Sequence, residues 1–137
     1  MIECQIFLIC YQEFDKVMYY PHHYSLYMWM TLLRKLLSVA LTVICHLFYA
    51  HDLFLIAPSV HTLQILFIFC ETDLSWFDMC INVNKSVCMH FGQHFNIQCA
   101  NLITNSGDGL KWVEECRYLG VYLVSARRFK CSWNNAK

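Results

Sequence analysis

The sequence has little charge. Charged residues make up 15% of its 137 residues and hydrophobic residues 58%, against about 25% and roughly 45–50% in an ordinary soluble domain. Acidic and basic residues balance to a net charge of zero, which argues against a freestanding nucleic-acid-binding protein. The composition therefore indicates either a core fragment without its covering parts or a membrane protein.

Acidic residues are absent from the last 22 residues, 116–137. That segment carries five basic residues, Arg117, Arg127, Arg128, Lys130 and Lys137. A basic surface that could bind the phosphates of a nucleic acid is therefore expected at the C-terminus. With 137 residues the chain has the length of one domain, which is too short for a polymerase with fingers, palm and thumb.

The nine cysteines contain no Cys-x-x-Cys pair, and their number is odd. This pattern fits neither a secreted disulfide framework nor a strong zinc site, so we expect reduced and mostly buried thiols. One weaker zinc candidate combines Cys88, His90, His94 and Cys99. A half-buried strand explains the alternation around His90 equally well, and we predict no metal site. The first ten residues lack a basic region, so no signal peptide is predicted.

Two helices are predicted. Residues 25–37 are rich in helix-forming residues and begin with a candidate cap, Ser25. Ser59 is a candidate cap for a second helix over residues 59–77, where apolar residues recur at spacings of three and four. Ile65, Ile68 and Phe69 widen this stripe, so the second helix exposes apolar surface unless another segment covers it.

Residues 36–50 form an apolar run that favours a membrane-associated protein as an alternative. A membrane-spanning helix needs about 20 apolar residues, and shorter runs usually belong to a core. Ser38, Thr42 and the β-branched residues of this run instead suit a turn that leads into a strand. No membrane association is therefore favoured.

Residues 47–58 contain two apolar runs around His51 and Asp52, and Pro58 closes the second run. The pattern predicts a β-hairpin with an acidic tip. Later stretches predict a strand at 87–91 and a hairpin made by residues 96–104, a turn at 105–109 and residues 110–113, with glycines at positive φ.

The stretch from Tyr49 to Asp52 resembles the Tyr-Ala-Asp-Asp hairpin of reverse transcriptases, and the chain is similar to the palm of a non-LTR retrotransposon (jockey-like LINE) polymerase. The resemblance covers residues 26–137 in the right motif order. Asn82, Lys85 and Ser86 match the family's fourth palm motif, in which the lysine lies near the incoming triphosphate. Residues 118–120 match the motif that supports the primer strand.

The resemblance implies vestigial catalytic equivalents at His51, Asp52 and Lys85. It also implies nucleic-acid contacts at the following residues of the C-terminal part: Tyr118, Leu119, Gly120, Arg127, Arg128 and Lys130. The family's first catalytic stretch matches residues 6–17 if one residue is dropped, and the match puts Cys10 at the position of the metal-binding aspartate. An apolar strand followed by a polar turn explains residues 6–15 equally well.

The chemistry of the intact family needs two Mg²⁺ ions held by hard oxygen ligands. His51 replaces the first acidic residue of the hairpin and offers an uncharged nitrogen donor instead. If Cys10 is the other equivalent, both principal ligands are missing, so no cofactor is expected although the intact family uses magnesium. The family's template-gripping signature is absent, and Pro21, His22 and His23 stand in its place.

We therefore expect an α+β fold, a partial reverse-transcriptase palm with an antiparallel sheet and about two helices. Residues 1–24 are expected to form an irregular segment with a degraded first palm motif, and residues 25–137 the partial palm. The expected function is that of an inactive remnant of an RNA-directed DNA polymerase. Weak binding to RNA or DNA and an intracellular location, in cytoplasm or nucleus, follow from the resemblance; no specific protein partner is inferred. A weak nucleic-acid-binding module that works through the basic C-terminus remains a further alternative.

Overall fold

The computed structural model describes the backbone of residues 5–14, 47–49 and 52, and residues 53–76, 79–118 and 120–132 in full. These residues form a mixed α+β fold with one helix, α1 (Val60–Ser75). The strands are β1 (Gln5–Phe14), β2 (Leu47–Tyr49), β3 (Asp52–Ala57), β4 (Met79–Ile81), β5 (Val87–Phe91), β6 (Lys111–Trp112), β7 (Glu115–Tyr118), β8 (Val121–Val124) and β9 (Lys130–Ser132).

The main sheet has the strand order β2-β3-β1-β5-β6, and β4 pairs with the end of β1. β1 is the central strand, antiparallel to β3 on one side and to β5 on the other. β3 and β5 are therefore parallel to each other with β1 between them, and the chain runs from β3 to β5 through α1 and β4. This interleaved order requires long connections across the sheet, since neighbouring strands are not consecutive in sequence.

The helix α1 begins where the sequence predicts. Ser59 has an extended backbone, and its hydroxyl accepts a hydrogen bond from the backbone N–H of Thr62 at 3.1 Å. This bond satisfies one of the four N–H groups that a helix leaves without a partner at its start. The helix ends at Ser75, two residues before the predicted end. The predicted helix over residues 25–37 and the domain boundary after residue 24 lie outside the described residues.

One face of the main sheet packs against α1. Leu53, Leu55 and Ala57 point to this face, because alternate side chains of a strand share one side of a sheet. The buried residues of α1 are Leu63, Leu66, Phe67, Cys70 and Leu74. Leu66 is a core residue that the predicted stripe did not contain, whereas Ile65, Ile68 and Phe69 are exposed as predicted.

The other face of the main sheet packs against a second sheet with the order β7-β8-β9. Phe54 of β3 and Met89 of β5 meet Tyr118 and Leu123 in this second cluster. Within the described residues, this second sheet therefore covers the face of the main sheet opposite α1. β3 reads as an unbroken apolar run because both of its faces are buried.

The segment between β5 and β6 runs along α1. The side-chain amide of Gln64 donates to the carbonyl of Ile103 at 2.7 Å and accepts from the N–H of the same residue at 2.8 Å. Glu71 accepts a third bond, from the N–H of Asn105. These bonds hold Leu102 and Leu110 over the core, where both side chains are fully buried.

The hairpin predicted over residues 96–113 does not form. The predicted turn is present, and Gly107 adopts a positive φ of 92°, but only one isolated bridge joins its sides, between Ile103 and Gly109. β6 instead leaves the turn and pairs with β5 in parallel. The expectation of a wholly antiparallel sheet is therefore wrong at this pair. Local turn chemistry is readable from sequence, but the choice of strand partner depends on the tertiary packing.

Candidate functional site

The predicted hairpin corresponds to β2 and β3, which pair antiparallel with Tyr49 opposite Asp52. Residues 50 and 51, which include His51, stand between these strands in the sequence and lie outside the described residues. The register between β1 and β3 puts Tyr11 opposite Asp52 and Cys10 opposite Leu53. The stretch that contains Cys10 is therefore the direct neighbour of the hairpin, about 4.8 Å away across the sheet.

Lys85 lies in the turn that leads into β5, and it is exposed. Asn82 organises this turn, because its side-chain oxygen accepts from the N–H of Lys85 at 3.1 Å. The backbone carbonyl of Asn82 also accepts from the hydroxyl of Ser86, which is completely buried. The Asn-x-x-Lys-Ser pattern thus has a local structural role: the asparagine and the serine close the turn, and the lysine points away from the core.

These sequence-predicted residues lie toward the same end of the main sheet. Ile9 of β1 is opposite Phe54, near the start of β3, and opposite Val87, the first residue of β5. The connection before β3 and the Lys85 turn before β5 directly precede these two residues in the chain. Both connections therefore belong to the same end of the main sheet. Strands two apart in a sheet are about 10 Å from each other, and this spacing separates the start of β3 from the start of β5.

Tyr118 is the last residue of β7, and Gly120 directly precedes β8. Tyr118 is buried, and its ring stacks on Phe54 with centroids 5.7 Å apart. Gly120 has a φ of 81°, in the region where a side chain is strained, which explains a glycine here. Leu119 lies outside the described residues. The ring of Tyr118 therefore packs in the core between the two sheets and is not available at the surface.

The predicted basic contacts are on the surface of the second sheet. Arg127 and Arg128 lie in the connection between β8 and β9, and Lys130 begins β9; all three are exposed. Phe129, which stands between them, is 53% exposed and leans on Phe91. The three cations and a half-exposed ring thus occupy one short stretch of surface, the basic turn (residues 127–130).

No group of three or more His, Cys, Asp and Glu side chains that could hold a metal occurs in the part of the chain that the structure describes. The four zinc candidates separate accordingly. Cys88 is buried against α1, where burial raises the pKa of its thiol to about 12, and His94 is exposed. Only His90 and Cys99 are in contact, with Nδ1 and Sγ 3.6 Å apart.

The six cysteines in the described residues are not joined in disulfide bonds. They are buried less often than expected: Cys70 and Cys88 are buried, Cys99 and Cys116 are half-buried, and Cys80 and Cys131 are exposed. The prediction of reduced thiols is confirmed for these six. The prediction that they are mostly buried holds for two of them only.

A cavity that sequence reasoning missed lies beside β5. It has a volume of about 350 Å³ and is lined by His90, Cys99, Trp112, Glu114 and neighbouring residues of the loop 95–101. His90 is only 7% exposed, and its Nε2 has no hydrogen-bond partner among the described residues. Burial, and the charge of His94 after it, lowers the pKa of His90. The signal in the sequence was the close spacing of two histidines and two cysteines, but it suggested a metal rather than a cavity.

No helix within the described residues has both the length and the apolar character needed to cross a membrane. Most of the apolar run at 36–50 lies outside those residues, and its described part, Leu47–Tyr49, is strand β2.

Comparisons with models of known protein families, with curated protein sequences and with solved structures found no match to this chain.

Proposed function

We propose that this chain is a remnant of the palm of a retrotransposon reverse transcriptase and has no polymerase activity. The observation that carries the proposal is the pairing of β1 with β3, in which Tyr11 is opposite Asp52. A site in which one carboxylate comes from the first catalytic stretch and another from the hairpin needs these two strands to be neighbours. The motif order in the sequence and the strand order in the sheet support the same arrangement independently.

The residues at this end of the sheet do not fit Mg²⁺. The hairpin offers His51 where the family has an acid, and Cys10 stands beside it on β1 if the match of the first motif holds. Mg²⁺ needs oxygen ligands in an octahedral shell, and a thiol with an imidazole suits softer metals. Asp52 alone is a weak ligand set for a hard cation, so the proposed remnant lacks the charge that the reaction requires.

Primer extension on an RNA template with Mg²⁺ is the direct test of inactivity. We expect no extension by the purified chain. Removing one preorganised electrostatic group costs about 10²–10³ in rate, and here several groups are missing together. His51→Asp alone is expected to leave the chain inactive. Robust extension that depends on Mg²⁺ would overturn the proposal.

A binding experiment tests the ancestry separately from the activity. The double variant Cys10→Asp/His51→Asp should gain a Mn²⁺ site, measured by electron paramagnetic resonance, because it restores carboxylates on neighbouring strands. A matched control, Cys10→Asp/Ser59→Asp, adds the same charge but puts one carboxylate at the far end of β3. Equal Mn²⁺ binding by the two variants would contradict the assignment of Cys10, because it would show that carboxylates at residues 10 and 51 do not form one site.

A second candidate, weak nucleic-acid binding, is favoured by the basic turn. Arg127, Arg128 and Lys130 are exposed together with Phe129, and an aromatic ring can stack on an unpaired base for roughly 1–3 kcal/mol. Three cations can neutralise about three phosphates, so the affinity should fall steeply with salt.

Fluorescence anisotropy with a single-stranded oligonucleotide tests this candidate. Arg127→Gln/Arg128→Gln/Lys130→Gln should reduce the salt dependence, the slope of log K against log salt, by about 2 to 3. The control Lys111→Gln removes an exposed cation elsewhere and should leave most of the binding intact. Binding that is unaffected by the triple variant rules out the basic turn as the contact.

A further inference from the structure

The cavity beside β5 brings together a thiol and an imidazole that the proposed function does not use. Sγ of Cys99 lies 3.6 Å from Nδ1 of His90, within hydrogen-bonding distance for sulfur, and both residues line the cavity. A nucleophile in contact with a base is the basic unit of covalent catalysis. Cys99 is only half-buried, so the cavity gives a reagent access to its sulfur.

The contacts of the imidazole ring fix its position. Trp112 meets the ring edge-on with centroids 6.4 Å apart, and the indole N–H of Trp112 donates to the carbonyl of Ala100. The backbone carbonyl of His90 accepts from the hydroxyl of Ser125. The strand and the tryptophan therefore hold the ring beside the thiol, and Nε2 is left in a buried position without a partner in the part of the chain that the structure describes.

Proton positions follow from this geometry. The thiol of Cys99 has two acceptors within reach, Nδ1 of His90 at 3.6 Å and the carbonyl of Ile97 at 3.7 Å. When the thiol donates to Nδ1, the other ring nitrogen carries the hydrogen, so Nε2–H is a buried donor without an acceptor among the described residues. An oxygen acceptor brought in by a ligand would satisfy it. The same oxygen would stabilise the imidazolium that forms when the ring takes the thiol proton.

We propose that Cys99 is a nucleophilic thiol with His90 as its base, and that the cavity admits small uncharged electrophiles carrying a carbonyl and an aromatic group. Phe95 and Trp112 supply aromatic surface for such a molecule, and Glu114 adds a carboxylate that disfavours anions. The site is independent of the polymerase ancestry, because it uses none of the residues at the hairpin end of the sheet.

The reaction with a maleimide illustrates the step. The thiol proton of Cys99 passes to Nδ1 of His90 as the sulfur bonds to one alkene carbon. The carbon–carbon π bond breaks, and its electron pair moves through the neighbouring carbonyl as an enolate. The proton then goes from the imidazolium to the other alkene carbon, so the base returns to its neutral form and no leaving group or oxidant is needed.

The other cysteines serve as internal references. Cys80 and Cys131 are exposed. Cys70 and Cys88 are buried, and burial raises the pKa of both thiols to about 12, which keeps them protonated and unreactive. Access alone would therefore make Cys80 and Cys131 react first, whereas the proposed pair puts Cys99 first.

The test is a time course of labelling of the full chain with N-phenylmaleimide, followed by mass spectrometry of each cysteine-containing peptide. In the folded chain we expect Cys99 to react about tenfold faster than Cys131 or faster still. In concentrated urea the two rates should become similar, since unfolding separates His90 from Cys99. N-ethylmaleimide, which lacks the aromatic ring, should show a smaller preference for Cys99.

A variant isolates the role of the base. His90→Gln should reduce the rate at Cys99 to that at Cys131 and leave Cys80 and Cys131 unchanged, with the fold checked by circular dichroism. If this variant does not fold, the labelling rates of Cys99 and Cys131 in the folded and the urea-unfolded native chain still test the proposal. A folded native chain in which Cys99 reacts no faster than Cys131, or a folded His90→Gln chain with an unchanged rate at Cys99, would overturn the proposal.

Discussion

The two faces of the main sheet differ in how completely they are buried. Toward α1, most of the cluster, including Leu53, Leu63 and Leu74, is fully excluded from solvent, and Met79 and Ile81 retain 4% and 8% exposure. Toward the second sheet, the cluster is smaller, and Phe54, Tyr118 and Leu123 retain between 6% and 9% exposure. The helix covers its face as one continuous element, whereas the three-stranded sheet reaches the opposite face through a few side chains.

This difference indicates which interface carries the stability. Burial of apolar area stabilises the folded chain by about 25 cal/mol per Å². When a side chain in a fully enclosed cluster is truncated, the cavity that it leaves adds to the loss of stability. We therefore expect the helix face to dominate the free energy of unfolding. The second sheet, which carries the basic turn, should be the part that opens first.

The largest effect that we expect is on solubility, and it concerns a third apolar surface, the side of α1 that faces away from the main sheet. Ile65, Ile68 and Phe69 are 37% to 42% exposed, and exposed apolar patches promote association. The isolated chain should therefore be mostly insoluble or bind a hydrophobic dye. The variant Ile65→Lys/Ile68→Lys/Phe69→Gln should raise the soluble fraction severalfold and reduce dye binding.

A matched control replaces the same residue types elsewhere on the surface. Ile97, Ile103 and Phe129 are 50% to 56% exposed, and Ile97→Lys/Ile103→Lys/Phe129→Gln makes the same chemical change on residues that are not part of α1. It should leave the solubility low. A native chain that sediments as a single monomer without dye binding would show that the exposed side of α1 is harmless.

The next largest effect is on the free energy of unfolding, and it is measured by truncating one leucine on each face of the main sheet. Leu66→Ala, on the helix face, should lower the free energy of unfolding by about 2–5 kcal/mol. Leu123→Ala removes the same atoms near the solvent edge of the other face, and the loss should be clearly smaller because the site can fill with water. Urea unfolding of both variants in the soluble background measures the difference, and equal losses would mean that the two faces contribute alike.

A smaller effect tests the contact between the sheets. Phe54 and Tyr118 stack at 5.7 Å between centroids, and such pairs contribute about 0.5–1.5 kcal/mol beyond their burial. A double-mutant cycle with Phe54→Leu and Tyr118→Leu should give a coupling energy in that range. Additive single effects would show that the second sheet does not hold its place through this pair.

The smallest effect is a dependence of stability on pH. The pKa of His90 is lowered from 6.5 in the folded chain, so the unfolded chain binds the proton more strongly. The stability from the neutral imidazole is complete above pH 6.5 and decreases as the pH falls toward the lower pKa of the folded state. His90→Gln should flatten the unfolding free energy in this window relative to the native chain, and an unchanged slope would argue against the buried neutral histidine.

Several features could be predicted from sequence because they depend on local chemistry. Ser59 caps α1, the hairpin of β2 and β3 forms around residues 50 and 51, and Gly107 takes a positive φ in its turn. Each depends on a few neighbouring residues: a hydroxyl that can accept a hydrogen bond, two apolar runs around a short polar centre, a residue without a Cβ. The palm assignment and the site residues drawn from it remain predictions.

Other features depend on distant partners and could not be read from the chain. Tyr118 was predicted from a motif as a contact for nucleic acid, but burial against Phe54 came from the second sheet. The pair of His90 and Cys99 forms because the loop after β5 folds back beside the strand. Neither contact has a signature in sequence, since spacing alone does not state which face another element will cover.

The sequence by itself determined the elements of this protein, because capping, turn formation and apolar periodicity act over a few residues. Only the tertiary structure decided the neighbours: β1 between β3 and β5, β6 parallel to β5, and a second sheet over the face opposite α1. The physical reason is that burial of apolar surface has no direction. A strand with two apolar faces, such as β3, must be covered on both sides, but which elements cover it is set by how the whole chain packs.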